Sequence, residues 1–138
     1  MSRVSEHEIW IRSTDMDGDG IVNNAHYFEF FEQARLEHLI ALEIVVRPRP
    51  AGASGRSFTI AETRCRYAAP LRHRDRIAVQ AWTASIGNRS FSLGYRIEAL
   101  PDRTLVAEGD SALVWLDDGG GAAPLPADVR AALESSLA

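Results

Sequence analysis

The chain has 138 residues, 46% hydrophobic and 25% charged, with a formal net charge of −4. That is the profile of one globular domain (1–138) with chain enough for a core and too little positive charge to coat nucleic acid. A lone cysteine, Cys65, excludes an internal disulfide and any multi-cysteine metal site, and the fifteen basic residues are all arginine, which excludes Schiff-base and P-loop lysine chemistry.

Residues 1–10 hold Arg3, Glu6, His7 and Glu8 and no apolar run, so no signal peptide is expected. No stretch nears the roughly 18 apolar residues of a membrane span. The expectation is a reducing, cytoplasmic compartment. His7–Ser13 reads as a short strand with Ile9 and Ile11 on one face, followed by the polar loop Thr14–Gly20. Asn23 or Asn24 is placed to cap a helix. From Tyr27 the apolar residues fall at Tyr27, Phe30, Phe31, Ala34, His38 and Leu42, the spacing of an amphipathic helix of about 15–18 residues with a wide face to bury. Residues 46–57, with two prolines and two glycines, read as a loop.

Four strands are then expected: Phe58–Tyr67, Arg76–Ile86, Ser90–Ala99 and Thr104–Leu116, with Gly87-Asn88-Arg89 as a hairpin turn and Gly109 as a bulge. In Phe58–Tyr67 the alternation puts Phe58 and Ile60 opposite Thr63, Cys65 and Tyr67. A short helix, Asp128–Leu137, closes the chain. Short connections imply an antiparallel sheet, and one long helix with a wide apolar face implies that it lies across that sheet. The fold class is α+β. Thr104–Leu116 is apolar on both faces, Val106, Ala112, Val114 and Leu116 against Leu105, Leu113 and Trp115, which suggests that the second sheet face is also covered.

The densest polar cluster is Asp15-Met16-Asp17-Gly18-Asp19-Gly20-Ile21-Val22-Asn23-Asn24. Its first six residues match a calcium loop, but the closing position holds His26 instead of a bidentate Glu, and a strand rather than a helix precedes it. No metal is expected. Taken with Tyr27, Phe30-Phe31 and Glu32-Gln33-Ala34-Arg35, the cluster resembles the signature of hotdog-fold acyl-CoA thioesterases of the 4-hydroxybenzoyl-CoA type. Arg64-Cys65-Arg66-Tyr67-Ala68-Ala69-Pro70 is similar to that family's next strand and turn.

The resemblance implies a five-stranded antiparallel sheet wrapped around one long helix. It also implies hydrolysis of an acyl-CoA to the free acid and CoA without a cofactor. It makes Asp17 the catalytic carboxylate, as general base or nucleophile, and the Asn24 backbone N–H the oxyanion donor. Chemically this is apt: thioester hydrolysis needs a base or attacking carboxylate, and a helix N-terminus offers unspent N–H groups to a developing negative charge. Asn23, Tyr27, Arg89 and Ser90 are the substrate-binding candidates. Asp15 reads as a loop-ordering residue, because Asp side chains bond backbone in turns. The arginines at 64, 66, 72, 74 and 76 read as a solvated face or an anion site. The family implies a homodimer or homotetramer with sites between subunits. Alternatives within the fold are action on carrier-protein-bound chains, or a dehydratase using His26 or His38; further off is a calcium- or acyl-CoA-binding module.

Overall fold

The computed structural model describes residues 4–52 and 57–138. The expected loop 46–57 thus falls partly outside the described residues. The elements are β1 (Val4–Trp10), a 3₁₀ turn (Ser13–Asp15), α1 (His26–Ala41), β2 (Phe58–Tyr67), β3 (Arg76–Ile86), β4 (Ser90–Ala99), β5 (Thr104–Trp115) and α2 (Ala127–Ser135). The strands form one antiparallel sheet in the order β1-β3-β4-β5-β2. β1 and β2 are its edges. β1 lies three residues earlier than the alternation predicts, and Ile11, just past its end, still enters the core.

α1 buries the predicted Tyr27, Phe30, Phe31, Ala34 and His38 together with Leu39, while Leu42, the last of the predicted stripe, is buried at the C-cap. It lies on one sheet face, and the closest approach explains Gly109. A Cβ there would clash with both the Phe31 ring and the Arg64 carbonyl oxygen. Phe31 fills that space and stacks on Tyr95, with ring centroids 4.6 Å apart. Gly109 is therefore in register with Cys65 and Tyr95 and makes no bulge. Its glycine answers a packing need, not a break in the ladder.

The bulge of β2 lies elsewhere. Register shifts between Ile60 and Glu62, so Phe58 and Ile60 oppose Trp115 and Leu113 on the same inner face of β5 that Thr63 and Cys65 meet through Ser111 and Gly109. The extra residue, Ala61, inverts the predicted alternation and turns Phe58 toward Phe91.

The outer sheet face departs from expectation most. One cross-strand row reads Glu6, Gln80, Arg96, Glu108, Arg66 from edge to edge. Arg103 bridges Glu6 and Glu98 at 2.8 Å each, and Arg96 joins Glu98 to Glu108 at 3.0 and 3.1 Å. Arg64 grips Asp110 with two bonds of 2.9 and 3.1 Å. The two-faced apolarity of β5 is thus not shared by its neighbours. Val106 is buried beside Ala107 where β5 slips register against β4, and the outer face is a polar, ion-paired surface.

A buried polar chain ties four elements together. Ser136 Oγ donates to the Leu133 carbonyl (3.0 Å), so it accepts from Thr83 Oγ1 (2.7 Å). Thr83 then accepts from His38 Nε2 (3.1 Å), and His38 Nδ1 lies 2.8 Å from Ser5 Oγ. One hydrogen per hydroxyl fixes the direction from Ser136 to the ring.

Candidate active site

The Asp15–Asn24 segment folds as a tight loop. Met16 pairs with Val22, Asp17 N–H donates to the Ile21 carbonyl (2.8 Å), and Asn23 N–H to that of Asp15 (3.0 Å). Gly20, at φ 81°, makes the reversal that a side chain would resist. Val22 N–H donates to the Leu71 carbonyl (2.8 Å), which fixes the loop at the end of the sheet where β3 begins.

Asp15 is 1% exposed. Its carboxylate accepts from Arg12 N (2.8 Å), Nε (3.2 Å) and Nη2 (2.8 Å), and lies 3.2 Å from His26 Nδ1. The Arg12 guanidinium, above all, holds its pKa below the usual carboxylate range, against the pull of burial. Asp15 is an anchor between the loop and the first turn of α1. His26 Nδ1 is also 3.2 Å from Glu29 Oε2. Facing two carboxylates, that nitrogen is a donor of the ring. Sequence reading singled out neither Arg12 nor its reach; the spacing Arg12-x-x-Asp15 was the available signal.

Asp17 uses one oxygen locally. Oδ1 accepts from Asp19 N–H (2.7 Å) and, more distantly, Ile21 N–H (3.4 Å); Oδ2 has no partner among the described residues. The Asp15, Asp17 and Asp19 carboxylates do not converge, and among the described residues no cluster of His, Cys, Asp and Glu has the arrangement of a metal site.

α1 begins one residue later than a cap at Asn24 requires. Its N-cap is Ala25, with no side-chain cap bond. Asn23 Oδ1 instead accepts from Ala25 N–H (3.0 Å). The Asn24 carbonyl is held by the Tyr67 hydroxyl (2.8 Å), while the Asn24 backbone N–H has no acceptor among the described residues. Tyr67 comes from the end of β2, so its role depended on a contact 43 positions away that no local pattern announces. Tyr27 is 2% exposed, edge-on to Tyr67 at 4.9 Å, and burial pushes its hydroxyl up to about 12.

Arg89 lies in the β3–β4 turn, where its carbonyl accepts from Trp115 N–H, and Ser90 opens β4. That is the other end of the sheet from Asp17, about 30 Å away along a strand of this length. A cleft of about 550 Å³ opens near that end, between the second half of α1, residues 44–50 and the start of β2. One chain therefore brings together Asp17, Asn23, Asn24 and Tyr27 but not Arg89 or Ser90. Of the arginine run, Arg64 pairs with Asp110 and Arg76 with Glu8 (3.2 Å) and the Trp10 ring (5.6 Å). His38 is fully buried, and Cys65 is packed against the core, its thiol pushed up by burial.

Comparison with known proteins agrees with this architecture. The Synechocystis 1,4-dihydroxy-2-naphthoyl-CoA thioesterase Slr0204 superposes with a TM-score of 0.81 at 19% identity, over 95% of this chain and 96% of its own. A thioesterase from Thermus thermophilus, solved with coenzyme A and Zn, gives 0.79 at 25% identity, over 95% and 92%. The fold is the hotdog fold. The chloroplastic acyl-acyl carrier protein thioesterases ATL3 and ATL2 of Arabidopsis thaliana are 28% identical over 130 and 125 residues, 94% and 91% of this chain. The chain spans about two-thirds of their length, 67% and 65%. The model of the thioesterase-like superfamily matches residues 11–133. The chain belongs to that superfamily and is a thiolester hydrolase.

Proposed function

We propose that the protein hydrolyses acyl-CoA thioesters, in the manner of the 4-hydroxybenzoyl-CoA type. Asp17 acts as general base or nucleophile, and the Asn24 backbone N–H is the oxyanion donor. The observation that carries this reading is a pair of unspent groups on one short loop: Asp17 Oδ2 and the Asn24 N–H. Asp17 Oδ1 is committed to the loop, which fixes the carboxylate and leaves Oδ2 to take a proton from water or to attack the carbonyl. Tyr67 holds the Asn24 carbonyl, which belongs to the following peptide unit, and so steadies the helix start next to the Asn24 N–H before substrate arrives. The carbonyl oxygen gains charge against that N–H, the C–S bond breaks, and the thiolate of CoA departs with the electron pair; where Asp17 itself attacks, water then cleaves the resulting anhydride to release the acid and restore the carboxylate.

The remaining site residues need a second copy. Arg89, Ser90 and the cleft sit at one end of the chain, Asp17 and Asn24 at the other. Two copies paired antiparallel along the free edge of β2 place one copy's Asp17 beside the other's cleft. This supports a homodimer, or a homotetramer built from it, in which Asn23 and Tyr27 shape the wall on one side and Arg89 and Ser90 meet the CoA phosphates from the other. Arginine forks suit that role.

A second reading, action on acyl chains carried by acyl carrier protein, is favoured by the likeness to the two plant thioesterases. Thiol release measured on matched acyl-CoA and acyl-carrier-protein substrates separates the two. Faster turnover of the CoA thioester supports the first reading; turnover confined to the carrier-bound chain replaces it with the second.

A further inference from the structure

The first turn of a helix leaves N–H groups unpaired and frays unless something holds it, and α1 has no side-chain bond at its N-cap. Asp15 does the holding from outside the helix. Its buried carboxylate is fixed by three bonds from Arg12, and it takes the segment Asn23–His26 at both ends. The Asp15 carbonyl accepts from the Asn23 N–H (3.0 Å), and Asp15 Oδ1 accepts from His26 Nδ1 (3.2 Å). Within the segment the Asn23 carbonyl accepts from the His26 N–H (2.9 Å), which closes a turn. Asn24 stands inside that turn. Its N–H is aimed by backbone tied down on either side, and on the helix side the tie is the His26 ring. Glu29 Oε2 lies equally near Nδ1 (3.2 Å) but is 65% exposed, and a pair in water contributes little.

We propose that His26 is a positioning residue for thioester hydrolysis: its Nδ1–H, anchored on Asp15, sets the direction in which the Asn24 N–H meets the oxyanion. This rests on the reading of Asn24 above as the oxyanion donor. An Asp–His pair near a reactive carboxylate also invites another role, an acid–base dyad in which the far ring nitrogen carries the proton. The two roles make opposite demands. A proton carrier must lose and regain its proton at the working pH, whereas a ring facing Asp15 and Glu29 keeps the Nδ1 hydrogen whether neutral or charged. Positioning needs an N–H at one place rather than an imidazole, and an asparagine amide nitrogen can occupy the place of Nδ1. It asks of Asp15 only an oxygen, which an asparagine there also supplies.

The test measures kcat and KM for octanoyl-CoA and 4-hydroxybenzoyl-CoA in the wild type, His26→Leu, His26→Asn and Glu29→Ala. An oxyanion donor acts in the transition state, so His26→Leu should lose roughly 10–100-fold in kcat with KM within about threefold. His26→Asn should recover most of that loss, and its pH profile of kcat should run parallel to that of the wild type. Glu29→Ala should stay within about twofold. A His26→Leu variant that melts lower but keeps its kcat makes the ring a structural staple and overturns the assignment. So does a His26→Asn variant that loses as much as His26→Leu, or whose pH profile lacks a limb the wild type has, since His26 would then move a proton. A loss in Glu29→Ala as large as in His26→Leu overturns it as well, by moving the tie from Asp15 to Glu29. Should His26→Leu not fold, His26→Gln, whose amide nitrogen sits nearer the place of Nε2, replaces it with the same expectation. If the wild type cleaves neither thioester, it is the acyl-CoA reading that fails, and hydrogen exchange at the Asn24 amide judges the tie by itself. Faster exchange in His26→Leu that is reversed in His26→Asn supports it, and equal rates in all three end it.

Discussion

Asp15 and Asp17 are two residues apart and do opposite work. Asp17→Asn keeps the Oδ1 acceptor that the loop uses and removes the group able to take a proton. Turnover should fall roughly 10²–10⁴-fold with an unchanged melting temperature; an Asn variant with most of its activity would remove Asp17 from the mechanism. Asp15→Asn removes the anion between Arg12 and His26 in a buried position, and should cost about 2 kcal/mol of stability by denaturant melt, with a much smaller effect on kcat. His7 gives a pH test. Its Nε2 is buried without a hydrogen-bond partner among the described residues, and burial lowers its pKa, only partly opposed by Glu37. Below its ordinary value the unfolded chain binds the proton more readily than the folded one, so this contribution to stability is complete above about pH 6.5 and is lost as pH falls toward the depressed value. The melting temperature of the wild type should decline from pH 7 to 5 more steeply than that of His7→Phe. Parallel declines would show that His7 is not the group responsible.

Among the elements, β5 carries the tightest constraint. Gly109→Ala forces a methyl group against a backbone oxygen and a core ring, neither free to move, and should destabilise by roughly 1–3 kcal/mol. At Gly94 the nearest atoms a methyl would meet belong to the Trp82 ring on the outer face, at 2.5 Å. That side chain can swing away, so Gly94→Ala should lower the melting temperature less. The reverse order would mean that α1 yields more easily than the stacking of Phe31 on Tyr95 implies. The same strands show what sequence can and cannot supply. β2, β3 and β4 begin and end where alternation and turn residues place them, because those signals are local. The bulge at Ala61 is set by what β5 presents opposite it, and the role of Gly109 by an aromatic ring 78 positions earlier. The site divides the same way. The Asp17–Asn24 loop was legible because its residues are contiguous, whereas Arg12, Tyr67 and the cleft beside α1 required the fold to bring separate segments together.

At the scale of the molecule, the polar outer face removes one argument for assembly and leaves another. What favours a second copy is the free edge of β2, with Ile60 and Tyr67 at 37% and 42% exposure, and a candidate site split between two ends of one chain. Light scattering under assay conditions should give a mass of at least twice 15.2 kDa, with specific activity falling on dilution below the dimer dissociation constant; a fully active monomer would sink the shared site. The strand order also governs how the chain comes to fold. β1 pairs with β3, so His7 meets Val79 across 72 positions, and at ribosomal rates of about 5–20 residues per second it waits roughly 4–14 s for its partner. In that interval α1 has been made, and the sheet that covers its aromatic face has not. The hydroxyl chain through His38 closes later still, since Ser136 follows Thr83 by 53 positions. The aromatic face of α1 therefore stays without its sheet for seconds during synthesis, the interval in which aggregation competes with folding.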